Sequence, residues 1–270
     1  MKKLLLAVTA MAAMTGTASA ADLAARPYTK APIAAPLAPS WTGFYIFGGG
    51  GGGLWNADTT INSTATGAAL IGLNQKQGGE GWFGTVGAGY DWQVNPTWVI
   101  GAFADGQFGS IKGTIQDQGA LIAGNIKNDY SWAVGGRVGY LVAPNVLSYV
   151  NAGYSSSHWK GTTLLSTVTG GASGLHTDGF DRSGWFIGGG VENSLNFFGI
   201  SAPGWFVKTE YRSTFYNRIS LPTSYVAGNT LGGAAGALTG DAITFKPCTQ
   251  TISTSLVYRF NWSGPVVAKY

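Results

Sequence analysis

Charge is what this chain has least of. Asp, Glu, Lys and Arg make up 10% of its 270 residues, against about 25% in an ordinary soluble domain. Cysteine is nearly missing as well: the single Cys248 excludes an internal disulfide. It is expected just before the last strand, near the outer rim, without the His and carboxylate pattern of a catalytic thiol. No run of about 18 apolar residues follows the N-terminus, which argues against a helical membrane protein. Proline is limited to ten residues and the 43 glycines follow no G-x-y period, so a collagen-like chain is excluded. Histidine is down to His158 and His176, too few and too far apart for a tight zinc site. The net charge of +4 falls to +2 once Lys2 and Lys3 leave with a leader, and no basic run remains, so nucleic acid is not an implied partner.

What the chain has is aromatics, 13% with ten Trp, arranged with a period of two. The stretch from Thr251 to Trp262 shows it best. Its even positions are Ile252, Thr254, Leu256, Tyr258, Phe260 and Trp262; its odd positions are Thr251, Ser253, Ser255, Val257, Arg259 and Asn261. One face is greasy, the other polar. The pattern recurs with no helices to cover the greasy faces, so the simplest solvent for them is lipid. A sheet in lipid must close, because an open edge leaves backbone groups unpaired.

The chain divides accordingly. Lys2-Lys3, the apolar run Leu4–Met14 and Ala18-Ser19-Ala20 read as a secretory signal peptide over 1–20, cut between Ala20 and Ala21. Residues 21–40, rich in Ala and Pro, read as a periplasmic linker, 41–262 as a barrel and 263–270 as a tail. Eight strands are predicted, over 42–55, 82–93, 97–110, 130–142, 146–158, 183–195, 205–217 and 250–262. Short connections at 95–96, 143–145 and 196–204 alternate with long polar ones near 56–81, 111–129, 159–182 and 218–249. The expectation is an all-β, eight-stranded antiparallel up-and-down transmembrane barrel with short periplasmic turns and four long extracellular loops. In the second strand Trp82, Val86, Ala88, Tyr90 and Trp92 oppose Thr85, Asp91 and Gln93; comparable faces recur in the third, fourth, sixth and seventh.

Asp105, Arg137, Glu192, Lys208, Glu210, Arg212 and Arg259 fall on the polar faces and would meet inside. Eight strands enclose a space that side chains just fill, and buried charges must pair. The expected result is a salt-bridged plug; an ion path or active site is the other reading. Gly48–Gly53 lacks the G-K-[ST] ending of a phosphate loop and reads as close strand packing. Ser157, His158, His176 and Asp178 are the raw material for a hydrolase, but no nucleophile motif surrounds them. No catalytic residue, cofactor or metal is expected.

W-T-G-F-Y at Trp41–Tyr45, L-V-Y-R-F at Leu256–Phe260 and G-P-V-V-A-K-Y at Gly264–Tyr270 resemble the two ends of the alpha-proteobacterial outer-membrane immunogenic proteins. That family is similar to the OmpA-type eight-stranded barrel and is often called a porin family. The resemblance implies a surface-exposed protein of the Gram-negative outer membrane, with no catalytic residues to carry over. It also implies that Leu256, Tyr258 and Phe260 form the signal read by the barrel-assembly machinery. Outer-membrane lipid and lipopolysaccharide are the other expected partners. No peptidoglycan-binding domain is recognised in the chain. The leading function is structural, in envelope integrity and surface contact; the alternative is a narrow porin-like channel for ions or small solutes.

Overall fold

The computed structural model describes residues 40–117 and 121–260. The chain divides into two units, Met1–Pro36 and Leu37–Tyr270, and the first lies outside the described residues. So do the expected leader with its cut at Ala20/Ala21, the linker before residue 40, and Asn261 to Tyr270.

The second unit is a closed sheet. Its strands are β1 (Gly43–Ser63), β2 (Ala69–Gln93), β3 (Trp98–Asp117), β4 (Ile122–Ala143), β5 (Val146–Lys160), β6 (Thr162–Ser166), β7 (Ala172–Thr177), β8 (Phe180–Ser194), β9 (Trp205–Tyr216), β10 (Ile219–Tyr225) and β11 (Leu238–Arg259). Eight of them make the ring β1-β2-β3-β4-β5-β8-β9-β11, which closes through an antiparallel β1–β11 pair. The expected eight-stranded antiparallel barrel is the fold. Short turns follow β2 and β4. A 3-10 helix at Leu195–Phe198 follows β8, capped by the Ser194 side chain and ended by Gly199 with φ 79°. Leu195 therefore starts this helix instead of ending the strand.

The wall is taller than the sequence led us to expect. β1, β2, β3, β4 and β11 run for 21, 25, 20, 22 and 22 residues, about twice the 9–11 that cross a membrane. β6, β7 and β10 lengthen β5, β8 and β9, and the pairs β4–β6, β6–β7, β7–β10 and β10–β11 close a second eight-membered ring above the first. Much of the four long connections is therefore barrel wall. Cys248 correspondingly lies within β11, partly exposed, instead of preceding the last strand.

The physical reason is an inversion of the pattern. In the lower half, outward residues such as Ile46, Val86, Ile100, Val138, Ile187 and Leu256 are exposed and apolar. In the upper half the same outward positions are Asn56, Asp58, Lys112 and Thr114, while Trp55, Ala57, Ile61, Ile111 and Ile115 point inward. A barrel that leaves lipid for water must exchange its faces, becoming an ordinary soluble barrel with an apolar core. Polar residues that looked like loop are its wet outer surface.

The six glycines of β1 pair with both neighbours. A Cβ on Gly49 would lie 2.1 Å from the Thr254 carbonyl oxygen, and one on Gly51 2.0 Å from that of Ile252. The inward side of β1 thus admits only glycine where β11 leans over it.

One seam of the wall is unzipped. β8 pairs with β9 up to Gly184↔Tyr216, and β7 pairs with β10 from Thr177↔Thr223. Six residues lie between these pairs on each strand, so the register is unchanged and no residue is bulged out. Asn217 N donates to Ser183 O at 3.1 Å; above it, 178–182 and 218–222 face each other without pairing.

Candidate functional site: the filled interior

Inward-facing charges fill the lower half in two linked groups. In the first, Arg137 grips Asp91 with Nε–Oδ1 at 2.9 Å and Nη2–Oδ2 at 2.5 Å, and reaches Glu192 Oε2 at 3.2 Å. Arg259 closes the cage: Nε to Glu192 Oε1 at 2.8 Å, Nη2 to Asp91 Oδ2 at 2.8 Å, and Nη1 to the Trp41 carbonyl at 3.3 Å. In the second, Arg212 holds Asp105 through two bonds of 3.0 and 2.7 Å and Glu210 through one of 2.8 Å. Lys208 stands 3.7 Å from Glu210. Tyr149 links the groups, donating to Glu210 at 2.8 Å while the Arg137 guanidinium lies 5.1 Å from its ring centroid.

All seven charged residues singled out in the sequence are buried here, and Asp91, fully buried, is an eighth. The sequence puts it on a polar face, with the inward parity of Thr85 and Gln93, and the structure adds it to the network. Four acids now balance four bases. Inward aromatics were also missed. Arg259 lies 4.4 Å from the Trp41 ring, Arg137 4.4 Å from Tyr45, Arg212 4.5 Å from Phe186 and Lys208 3.3 Å from Phe47. Rings lying against the faces of the cations exclude water and add attraction that strengthens on desolvation.

Above the charges lies a hydroxyl and amide belt including Gln107, Ser131, Thr214 and Thr249, around a cavity of about 20 Å³, room for about one water. Above the belt is the upper core. Trp55 meets Trp159 edge-on at 5.4 Å, Trp159 stacks on Phe180 at 6.1 Å, and Phe180 meets Phe245 at 5.8 Å. A path along the axis therefore crosses an ion-paired layer, a nearly filled polar layer and a packed apolar layer.

With this geometry in hand, comparison with known proteins places the chain. No protein-family model matches it. It is 30% identical over 228 residues to the 31 kDa outer-membrane immunogenic protein of Brucella melitensis, covering 82% of this chain and 90% of that protein, and equally to that of Brucella suis. The chain belongs to this outer-membrane immunogenic protein family. Like them, it is an outer-membrane protein. Among solved structures, the outer membrane protein OprG of Pseudomonas aeruginosa matches 81% of this chain and 97% of its own at a TM-score of 0.50 and 12% identity, which shows a shared barrel fold.

The remaining candidates of this family member fall apart from one another. Ser157 points inward and bonds Asn128. His158 points outward, stacks on Tyr130 at 4.9 Å and bonds Asp181 at 2.9 Å. His176 stands 3.5 Å from Asp178. Leu256 and Tyr258 lie on the outward face of β11, and Phe260 follows its last residue, Arg259. Among the described residues no group of three or more His, Cys, Asp or Glu is arranged to hold a metal.

Proposed function

We propose that this protein is a structural outer-membrane barrel that anchors a rigid folded collar outside the bilayer, and that it neither conducts nor catalyses. The observation that carries the reading is the filled interior, whose charged, polar and apolar layers lie in series along the axis. Water-filled porins use 16–18 strands; here the ring has eight and its lumen is occupied by side chains. Ser157 points inward and bonds Asn128 while His158 points outward, and this separation supports a role without catalysis. The collar would serve surface contact, the wall would meet lipid and lipopolysaccharide, and Leu256, Tyr258 and Phe260 would be the strand presented to the barrel-assembly machinery.

The test is single-channel recording on the mature chain, residues 21–270, refolded in a planar bilayer. The expected result is silence from a preparation shown to be folded. Long, steady openings of porin size would overturn the reading and establish the narrow channel in its place.

A further inference from the structure

Three lysines far apart in sequence stand side by side on the outer wall. Lys112 of β3 is directly opposite Lys127 of β4, and Lys127 is directly opposite Lys160 of β5. Directly opposed residues on neighbouring strands hold their Cβ atoms about 4.5–5.5 Å apart, and like charges so placed destabilise a sheet. Among the described residues, Glu80 is opposite Lys112 at one end of the row and Asp129 lies 3.4 Å from Lys160 at the other. Lys127, in the middle, has a cation on each side. The same barrel uses the favourable arrangement elsewhere, where Asp58 is directly opposite Lys76 on one side and Lys246 on the other.

The row sits just beyond the lipid-facing aromatics. Phe108 is four residues before Lys112 on β3, and Tyr130 and Trp132 follow Lys127 on β4; all three rings are exposed. Four residues of a strand tilted by about 40° rise roughly 10 Å. Aromatic belts mark the edge of the hydrocarbon, so the lysines reach the headgroup layer, and their long stems let the ammonium groups reach back towards it.

We propose that Lys112, Lys127 and Lys160 form a binding site for the phosphate groups of the outer-leaflet glycolipid, whose negative charge offsets the repulsion built into the row. This deepens the lipopolysaccharide contact named above. It rests on the outer-membrane address and not on whether the interior conducts, so silence in a bilayer and failure to bind are separate results.

The experiment measures binding of fluorescently labelled lipopolysaccharide to the mature chain refolded in uncharged micelles. The triple variant Lys112→Gln, Lys127→Gln, Lys160→Gln should weaken binding on the order of a hundred-fold. Dephosphorylated glycolipid should lose a similar factor on the native chain. Lys76→Gln with Lys246→Gln should stay within a few-fold of native. Equal binding by the native chain and triple variant, or by phosphorylated and dephosphorylated glycolipid, overturns the site. Displacement by millimolar inorganic phosphate overturns the lipid assignment and leaves a free-anion site. Lys127→Gln alone separates binding from folding. It should weaken binding while the unfolding temperature in lipid-free micelles holds or rises, and a fall in both would make the lysine merely structural and overturn the proposal.

Discussion

Asp91→Asn tests whether the lower plug is dry. The side chain is fully buried and accepts three hydrogen bonds, two from Arg137 and one from Arg259. Asparagine keeps the shape but presents an NH2 to one of the guanidinium groups and removes one of four negative charges. The interior is then left one positive charge in excess. Stranding a buried partner costs about 3–5 kcal/mol, whereas an exposed pair is worth at most about 1 kcal/mol. Urea unfolding of the barrel from lipid vesicles, followed by its tryptophan fluorescence, measures the difference. We expect a loss in the buried range. Adding Arg259→Gln restores three acids against three bases, so the double variant should be less damaged than the sum of the singles by about 0.5–3 kcal/mol. It should not return to native, because Glu192 Oε1 and the Trp41 carbonyl also lose the bonds that Arg259 donates. A loss below about 1 kcal/mol for Asp91→Asn, or strict additivity in the double, would mean that water screens these charges. That would refute the dry plug.

Two further outcomes follow from the wall. In hydrogen exchange, seam-facing amides within 178–182 and 218–222 should exchange well before those of the paired stretches 184–194 and 206–215; equal protection would show the seam zipped in solution. Gly51→Ala should cost about 1–3 kcal/mol or more, since its Cβ would meet the Ile252 carbonyl at 2.0 Å. Gly52→Ala, one residue along and facing out with nothing nearer than 3.8 Å, should be neutral or stabilising by up to about 1 kcal/mol; similar effects in the same unfolding assay would mean that β11 does not lean on β1.

The lower half of this barrel was legible because period two carries both topology and environment there. Once the even face of β11 reads Ile252, Leu256, Tyr258, the odd residues Ser255 and Arg259 must point inward, and a closed ring brings them to the charges of the other strands. Asp91 was within reach of the same logic, since its parity on β2 is that of Thr85. Which acid meets which base was not legible, because pairing depends on the stagger of strands around the ring. Arg212 meets Asp105 across 107 residues of chain and Arg259 meets Asp91 across 168, and no local signal sets either. The upper half failed for a different reason. Its period is the same two, as Trp55, Ala57 and Ile61 against Asn56 and Asp58 show, but the sign of the pattern reverses where the wall leaves lipid. Turn-like composition then hides the strands, because a water-facing wall is built from the residues that loops favour. The lysine row is the extreme case. Lys112, Lys127 and Lys160 make no run in sequence, and only the registers of β3, β4 and β5 convert their spacing into a patch of charge. Alternation whose sign reverses once along the strand runs through β1, β3 and much of β11, and with them much of the collar.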